Sequence, residues 1–367
     1  MKLNYLLVNN FRNYDFQKID FNDNINIIRG FNAQGKSNLL EAVAYLSLAS
    51  SFRGAADIDI LGWEKDFFRL EGSVQYQKNG GGENYLAVAY NRQKRKIWKI
   101  NGQNKRKTAD ILGHFHTVIF SPEDLSLVKS GPAARRKYLN RQIVQLYPQY
   151  YSLLLKYNQI LKHKNALLKK RDYNLPEEII PWNQQLAAYG AAIYEKRFAI
   201  FIYLQEIAAR LHQNISPGEK LDLVYKSFLP QKELFSLSTD DLKAVLEKKF
   251  KDSFQLERIR GAGLYGPHRD DLEMFINNNS LKTFGSQGQQ RSGALSLKLA
   301  EMELAYQKIG EYPVLLLDDV MSELDEKRRS SLLKMMNDKT QTFITATDLN
   351  FYLPGGKTFL ISQGSII

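Results

Sequence analysis

The sequence predicts an α/β protein, a mixed sheet with an antiparallel subdomain plus an inserted, mainly helical lobe. Three observations lead there. The alternating stretch Asn24 to Arg29 runs into a glycine-bounded loop and then a helix former. From about residue 125 to 259 the texture is helical. Strand and loop patterns return at residue 260 and continue to the end. The expected division is therefore a discontinuous α/β lobe, 1–124 with 260–367, and a helical lobe, 125–259.

Lys2 to Asn9, Phe16 to Phe21 and Asn24 to Arg29 read as strands. Ser37 to Leu48 reads as a helix, because Leu40, Val43, Ala44 and Leu48 recur at helical spacing. Phe68 to Gln77, Tyr85 to Tyr90 and Lys96 to Ile100 form a meander, broken by Gly80-Gly81-Gly82 and Asn101-Gly102. Val118 to Phe120 is a short buried strand ended by Ser121-Pro122. Tyr147 to Lys170 and Pro181 to His212 carry apolar residues at three and four spacings, with Pro176 and Pro217-Gly218 as breaks. The heptads are not sustained, which argues against a long coiled-coil arm. A long helix, about Gln289 to Ile309, ends at Gly310. Val314 to Leu317, Thr342 to Thr345 and Lys357 to Ile361 complete the strands.

Composition bounds the function. The 367 residues include 51 Lys+Arg against 39 Asp+Glu, a net charge of +12. That balance favours a polyanionic partner, nucleic acid or a membrane surface. No run of ~18 apolar residues and no signal-peptide core is present, so the expectation is a soluble, cytoplasmic protein without a membrane partner, and nucleic acid moves ahead. Without cysteine there is no disulfide or thiolate metal site. The five histidines form no ligand cluster, and His114 and His116, on one strand face, read as packing.

"GFNAQGKS" carries the first chemistry. Gly30, four residues, Gly35, Lys36 and Ser37 have the spacing of a phosphate-binding loop. Such glycines let backbone N–H groups turn inward around a phosphate, and the following helix adds its positive end. Lys36 is expected to reach the β- and γ-phosphates and Ser37 to hold Mg²⁺. "PVLLLDDVMSELD", Pro313 to Asp325, ends a buried strand on Asp318-Asp319, where ligands sit in parallel α/β sheets. Asp318 would help hold Mg²⁺ and Asp319 would polarise the attacking water; the plainer reading is an Asp pair capping the next helix. "FGSQGQQRSGALSLKLA", Phe284 to Ala300, opens a long helix with Ser286, either a second anion site or a simple Ser cap.

The order of loop, Ser-Gln-Gly-Gln-Gln, LLLDD and SELD resembles the head of ABC-type P-loop ATPases, in particular the SMC-like DNA-repair group. "NNFRNY" (Asn9 to Tyr14), "FSPEDL" (Phe120 to Leu125), "YGPHRDDL" (Tyr265 to Leu272) and "FGSQGQQRS" resemble the RecF family along the whole chain. The resemblance implies heads that dimerise head to tail around two ATP molecules. Ser286, Gly288 and Gln289 of one protomer would then cap the γ-phosphate held by Lys36 of the other, with Asp325 as the D-loop residue at that interface. It also implies nucleotide contacts by Arg12, Asn32 and Asn38. Double-stranded DNA near gaps, at single/double-strand junctions, would be bound. With RecR and RecO such proteins help RecA load on strands coated by SSB, and slow hydrolysis releases the complex. Three positions depart from the pattern. Asp319 replaces the usual Glu. Thr347 stands where a switch His is usual. Glu123 replaces the Q-loop Gln, which leaves Thr347 and Glu123 as γ-phosphate contacts and Glu123 also as a Mg²⁺ contact. The role of "YGPHRDDL" and of His268 stays open.

Basic residues cluster in "NRQKRKIWKINGQNKRK", where Lys94, Arg95, Lys105, Arg106 and Lys107 lie on a hairpin and its loop. Arg53, Arg135 and Arg136 add to them as candidates for salt-dependent, sequence-independent contacts to DNA phosphates. No base-reading motif accompanies them. Two other functions fit parts of the chain: a structural DNA clamp that binds ATP with little turnover, and a transporter's nucleotide-binding subunit. A P-loop kinase gives Ser-Gln-Gly-Gln no task.

Overall fold

A computed structural model describes residues 1–77, 81–170, 175–336, 340–348 and 353–367. Gly80, expected in a chain break, lies outside the described residues. The chain divides into two compact units: unit 1, Met1–Leu125 with Arg210–Gly218 and Arg291–Ile367, and unit 2, Ser126–Ala209 with Glu219–Gln290. The strands are, in unit 1, β1 (Lys2–Phe11), β2 (Tyr14–Asp20), β3 (Ile25–Arg29), β4 (Phe67–Tyr76), β5 (Gly82–Asn91), β6 (Lys96–Ile100), β7 (Gln103–Lys105) and β8 (Thr117–Phe120). Unit 2 holds β9 (Leu221–Lys226), β10 (Asp271–Ile276) and β11 (Asn279–Ser280), and unit 1 resumes with β12 (Val314–Leu317), β13 (Thr342–Ala346), β14 (Gly356–Ser362) and β15 (Ser365–Ile366).

Unit 1 has two six-stranded sheets. One is antiparallel in the order β2-β1-β4-β5-β6-β7. The other runs β15-β14-β3-β13-β12-β8, parallel from β14 through β8. Every residue of β12 and of β13 is buried, as expected for central strands covered on both faces. Leu315 and Leu317 pack in one cluster with Leu295, Leu299, Met302 and Ile344. That register, Leu317 beside Ile344 and Phe120, brings the C-terminal ends of β8, β12 and β13 to one edge. The Lys36–Leu48 helix follows β3 from the same edge, the end at which parallel sheets bind ligands.

Unit 2 is built on the helices Pro132–Leu146, Gln149–Leu168, Thr239–Asp252 and most of Ile180–Ile215, with the antiparallel order β11-β10-β9. Residues 260–290, expected with the α/β lobe, fall in unit 2 because β10 pairs along its length with β9. The division also lies inside two helices, so residues 210–218 at the end of the Ile180–Ile215 helix count with unit 1.

The "YGPHRDDL" loop is a staple of unit 2. Asp270 is buried and accepts hydrogen bonds from Tyr225 and Ser227, both at 2.6 Å, from Tyr194 at 3.1 Å, and from Arg197 at 3.2 Å. Burial pushes its carboxyl above the usual range, and Arg197 and the hydroxyls oppose that. His268 Nδ1 lies 2.7 Å from Tyr157 Oη and its Nε2 3.2 Å from Gly263 O. The ring therefore donates from Nε2 and accepts at Nδ1, and burial pushes it down to about 4. His268 is thus a scaffold residue.

Candidate nucleotide site and family

The loop after β3 is held from outside by two segments. Asn13 Nδ2 donates to Gln34 O at 3.0 Å and Tyr14 Oη to Gly35 O at 3.0 Å. From the C-terminal hairpin, Gly364 N–H donates to Gln34 O at 2.9 Å and Gln363 N–H to Gln34 Oε1 at 2.7 Å. Glycine is required twice. A Cβ on Gly30 would lie 2.5 Å from Ile361 O, and Gly35 has φ 117°. The loop's shape is therefore fixed by the chain itself.

Lys36 is buried, and its ammonium donates to Gly30 O at 2.8 Å and Phe31 O at 3.0 Å. The hydroxyl of Ser37 donates to Asp318 Oδ1 at 2.7 Å, tying the loop's helix to the end of β12. Asp318 is held above the ordinary carboxylate range by burial first and by the charge of Asp319; Ser37, Thr345 and Arg53 pull it down.

Thr345, near the end of β13, escaped the sequence reading. Asp319 N–H donates to Thr345 Oγ1 at 2.7 Å. The same hydroxyl lies 3.1 Å from Asp318 Oδ1 and 3.3 Å from Asp319 Oδ1, so it donates to one carboxylate or the other. Asp319 itself is left-handed, with φ 51°, a conformation that, glycine apart, Asn and Asp tolerate best. A Thr inside "TFITAT" carries no local signal; only the pairing of β12 with β13 brings it to the acids.

Arg12 forms two hydrogen bonds of 2.9 Å to the carboxylate of Glu41 and donates to Asp59 O. Glu41 is fully buried in the loop's helix and also accepts from Ser51. Arg12 thus anchors the β1–β2 turn to that helix. Asn38 Nδ2 donates to Asn13 Oδ1 at 2.8 Å, and Arg53 Nη1 donates to Asn38 Oδ1 at 3.2 Å, putting Arg53 beside this site. Asn32 is exposed in the loop. Glu123 is exposed on the turn Pro122–Leu125, and among the described residues no hydrogen bond ties it to Ser37 or Asp318. Thr347 is exposed just beyond β13, where it lines a concavity of about 180 Å³ with Asp319, Thr345, Asp348 and Arg329.

Ser286 caps the Gln287–Ile309 helix, with Gln289 N–H donating to its Oγ at 3.2 Å and its own N–H donating to Gln289 Oε1 at 3.0 Å. This reciprocal box is the simple-cap reading. It leaves Ser286 exposed and Gly288 in the first turn. Asp325 likewise caps the Glu326–Met335 helix, accepting from Arg328 N–H at 3.0 Å and from the Arg328 guanidinium.

Arg135, expected among the DNA-facing cations, is not a surface residue. Arg135 is buried, and it binds both oxygens of Asp271 at 2.6 and 2.7 Å and the carbonyls of Leu127 and Ser130. The sequence run hid a core ion pair. Arg136 is half-buried and donates to Asp270 O at 2.7 Å. In contrast Lys94, Arg95, Arg106 and Lys107 are exposed and Lys105 is half-exposed. Because Lys105 pairs with Trp98, β7 runs back toward the 92–95 turn and gathers these cations at one end of the sheet.

The arrangement joins a preformed loop, a buried ammonium, a hydroxyl and two carboxylates. Ser37 Oγ and the Asp318 carboxylate are hard oxygen donors that fit Mg²⁺, which takes one or two protein ligands and completes its shell with phosphate and water. Among the described residues no helix is long and apolar enough to cross a membrane.

The family model described as RecF/RecN/SMC N terminal domain matches residues 2–363. The DNA replication and repair protein RecF of Bacillus cereus (strain B4264) is 40% identical over 375 residues, covering 100% of this chain and 98% of the relative. The RecF of Bacillus thuringiensis (strain Al Hakam) matches at the same identity and coverage. A solved structure of the recombination mediator protein RecF with ATP, from the RecFOR pathway, is 36% identical with a TM-score of 0.91 and covers 100% of this chain and 96% of its own. The Smc head domain of Pyrococcus furiosus, 16% identical with a TM-score of 0.52 over 94% of this chain and 89% of its own, shares the fold alone. An SMC-like, ABC-type ATPase head and a match along nearly its full length agree: the chain belongs to the RecF family.

Proposed function

We propose that the protein is an ATP-gated, DNA-binding ATPase of replication and recombinational repair. The observation that carries this is the Ser37–Asp318 hydrogen bond of 2.7 Å, which joins the phosphate-type loop to the acidic strand end in one site. The solved RecF structure with ATP supports the nucleotide, and its RecFOR pathway supports RecO and RecR as partners.

On this reading Lys36 leaves the carbonyls of Gly30 and Phe31 to bind the β- and γ-phosphates. Ser37 and Asp318 hold Mg²⁺, which neutralises charge on the phosphates. Asp319 orients the attacking water, and Thr345 sets the direction of its carboxylate. Asn32, Asn38 and Thr347 line the nucleotide. Ser286, Gly288 and Gln289 of a second protomer complete the site, with Asp325 at the contact, so nucleotide binding drives dimerisation. Lys94, Arg95, Lys105, Arg106 and Lys107 hold duplex DNA by its phosphates, near junctions with single strands, while the RecO and RecR partners help load RecA. Hydrolysis, slow because Asp319 is one methylene shorter than Glu, releases the complex.

The test is retention of a gapped duplex with and without Mg-ATP, for wild type and Lys36→Met. The expected result is retention at least about tenfold stronger with Mg-ATP in wild type alone, a difference of about 1.4 kcal/mol. Equal retention in all four cases would sink the gating. Gated retention without turnover would instead favour the clamp.

A further inference from the structure

Trp63 is 89% exposed, whereas Trp98 is buried. Tryptophan is highly buried on average, so an indole left almost free calls for a cause. Its loop is firmly held. Gly62 N–H donates to Asn10 O at 2.8 Å and Lys65 N–H to Gly62 O at 3.0 Å. A Cβ on Gly62 would lie 3.1 Å from Asn10 O, and Glu64 takes φ 60°. Lys65 Nζ lies 2.8 Å from Asp15 Oδ1. The backbone thus presents the ring to solvent on a fixed platform.

Two phosphate-suited regions adjoin that platform, all within unit 1. On one side Arg12 N–H donates to Ile60 O at 2.7 Å, and the next residues, Asn13 and Tyr14, bond the loop at Gly30–Gly35. On the other side Arg92 N–H donates to Asp66 O at 2.9 Å and its Nε to Lys65 O at 2.8 Å. Arg92 opens the turn that carries exposed Lys94 and Arg95. An exposed aromatic face beside groups that hold phosphate is the combination that takes a nucleobase: the ring stacks and the charges hold the backbone.

We propose that Trp63 is a stacking platform for a nucleobase. The base belongs either to the nucleotide in the Gly30–Ser37 loop or to an unpaired stretch of the DNA strand held by the Arg92–Arg95 turn. This rests on the nucleotide- and DNA-binding reading above.

The experiment titrates intrinsic fluorescence of wild type and Trp63→Phe with Mg-ATP and, separately, with an unlabelled oligothymidine. Filter retention of each radiolabelled ligand is measured in parallel. The expected result is quenching by one ligand in wild type, its loss in Trp63→Phe although the ligand is still retained, and about tenfold weaker retention for Trp63→Ala, within the range of base–aromatic stacking. Quenching by Mg-ATP assigns the base to the nucleotide; quenching by oligothymidine assigns it to the strand. Retention of both ligands with no quenching in wild type, or with the same fractional quenching in wild type and Trp63→Phe, overturns the inference alone. If neither ligand is retained by wild type, the proposed function falls and the inference with it.

Discussion

Thr345 Oγ1 accepts the backbone N–H of Asp319 at 2.7 Å while standing 3.1 Å from the Asp318 carboxylate and 3.3 Å from that of Asp319. One hydroxyl therefore sets the geometry of both acids. Thr345→Val keeps the shape and removes the donor and acceptor. Turnover should fall about tenfold, equivalent to about 1.4 kcal/mol of barrier, with nucleotide affinity within about threefold. Stability should drop by about 1 kcal/mol, as expected for a part-buried N–H left without its acceptor. Steady-state hydrolysis, nucleotide titration and urea unfolding check this together.

On the proposed function Asp318 and Asp319 have separable duties. Asp319→Asn should reduce hydrolysis by about 10²–10⁴-fold, the usual worth of a positioned base, and leave nucleotide binding in place. Asp318→Asn should weaken Mg-dependent nucleotide binding itself. Matched losses in binding for the two variants would contradict the assignment.

The basic residues divide by burial. Arg135→Ala leaves the partly buried Asp271 without its partner and should destabilise the fold by about 3 kcal/mol, with little change in the salt dependence of DNA binding. Replacing Lys105, Arg106 and Lys107 by Ser should leave stability nearly unchanged. It should lower the slope of log affinity against log salt by about 0.9 for each phosphate no longer neutralised. Anisotropy titrations across a salt series distinguish the two.

His116 gives the pH dependence. It is buried at the start of the strand pair β8–β12, and burial pushes it down to about 4. In the unfolded chain a histidine titrates near 6.5. Its contribution is therefore intact above about pH 6.5 and is lost as pH falls toward 4, because the unfolded state binds the proton first. The raised carboxyls of Asp270 and Asp318 act with the opposite sign. Comparison with His116→Asn isolates the imidazole: between pH 7 and 5 wild type should lose roughly 2 kcal/mol more than the variant. Parallel stability curves would contradict a neutral, buried ring.

Local spacing makes the loop and the acid pair of the candidate site legible. Gly30, Gly35, Lys36 and Ser37 follow one strand directly, and Asp318-Asp319 end another, so short windows sufficed. Thr345, the Arg12–Glu41 pair and the Arg135–Asp271 pair are set by which strands and helices meet, and no window contains both partners. The same reason explains β9. Its six residues sit inside a helical texture, and the alternation of Leu221, Leu223 and Tyr225 gains meaning only through β10. The lobe boundary near residue 260 differed from the compact units for that cause.

On the proposed function the loop at Gly30 is half of a composite site, completed by a second protomer. Sedimentation of the protein with Mg-ATP, with and without duplex DNA, for wild type, Lys36→Met and Ser286→Arg tests this most directly. Ser286 is exposed at its helix terminus, so the Arg variant should fold. Nucleotide-dependent dimers are expected for wild type alone. A wild type that stays monomeric with Mg-ATP, even on duplex DNA, would contradict the composite site.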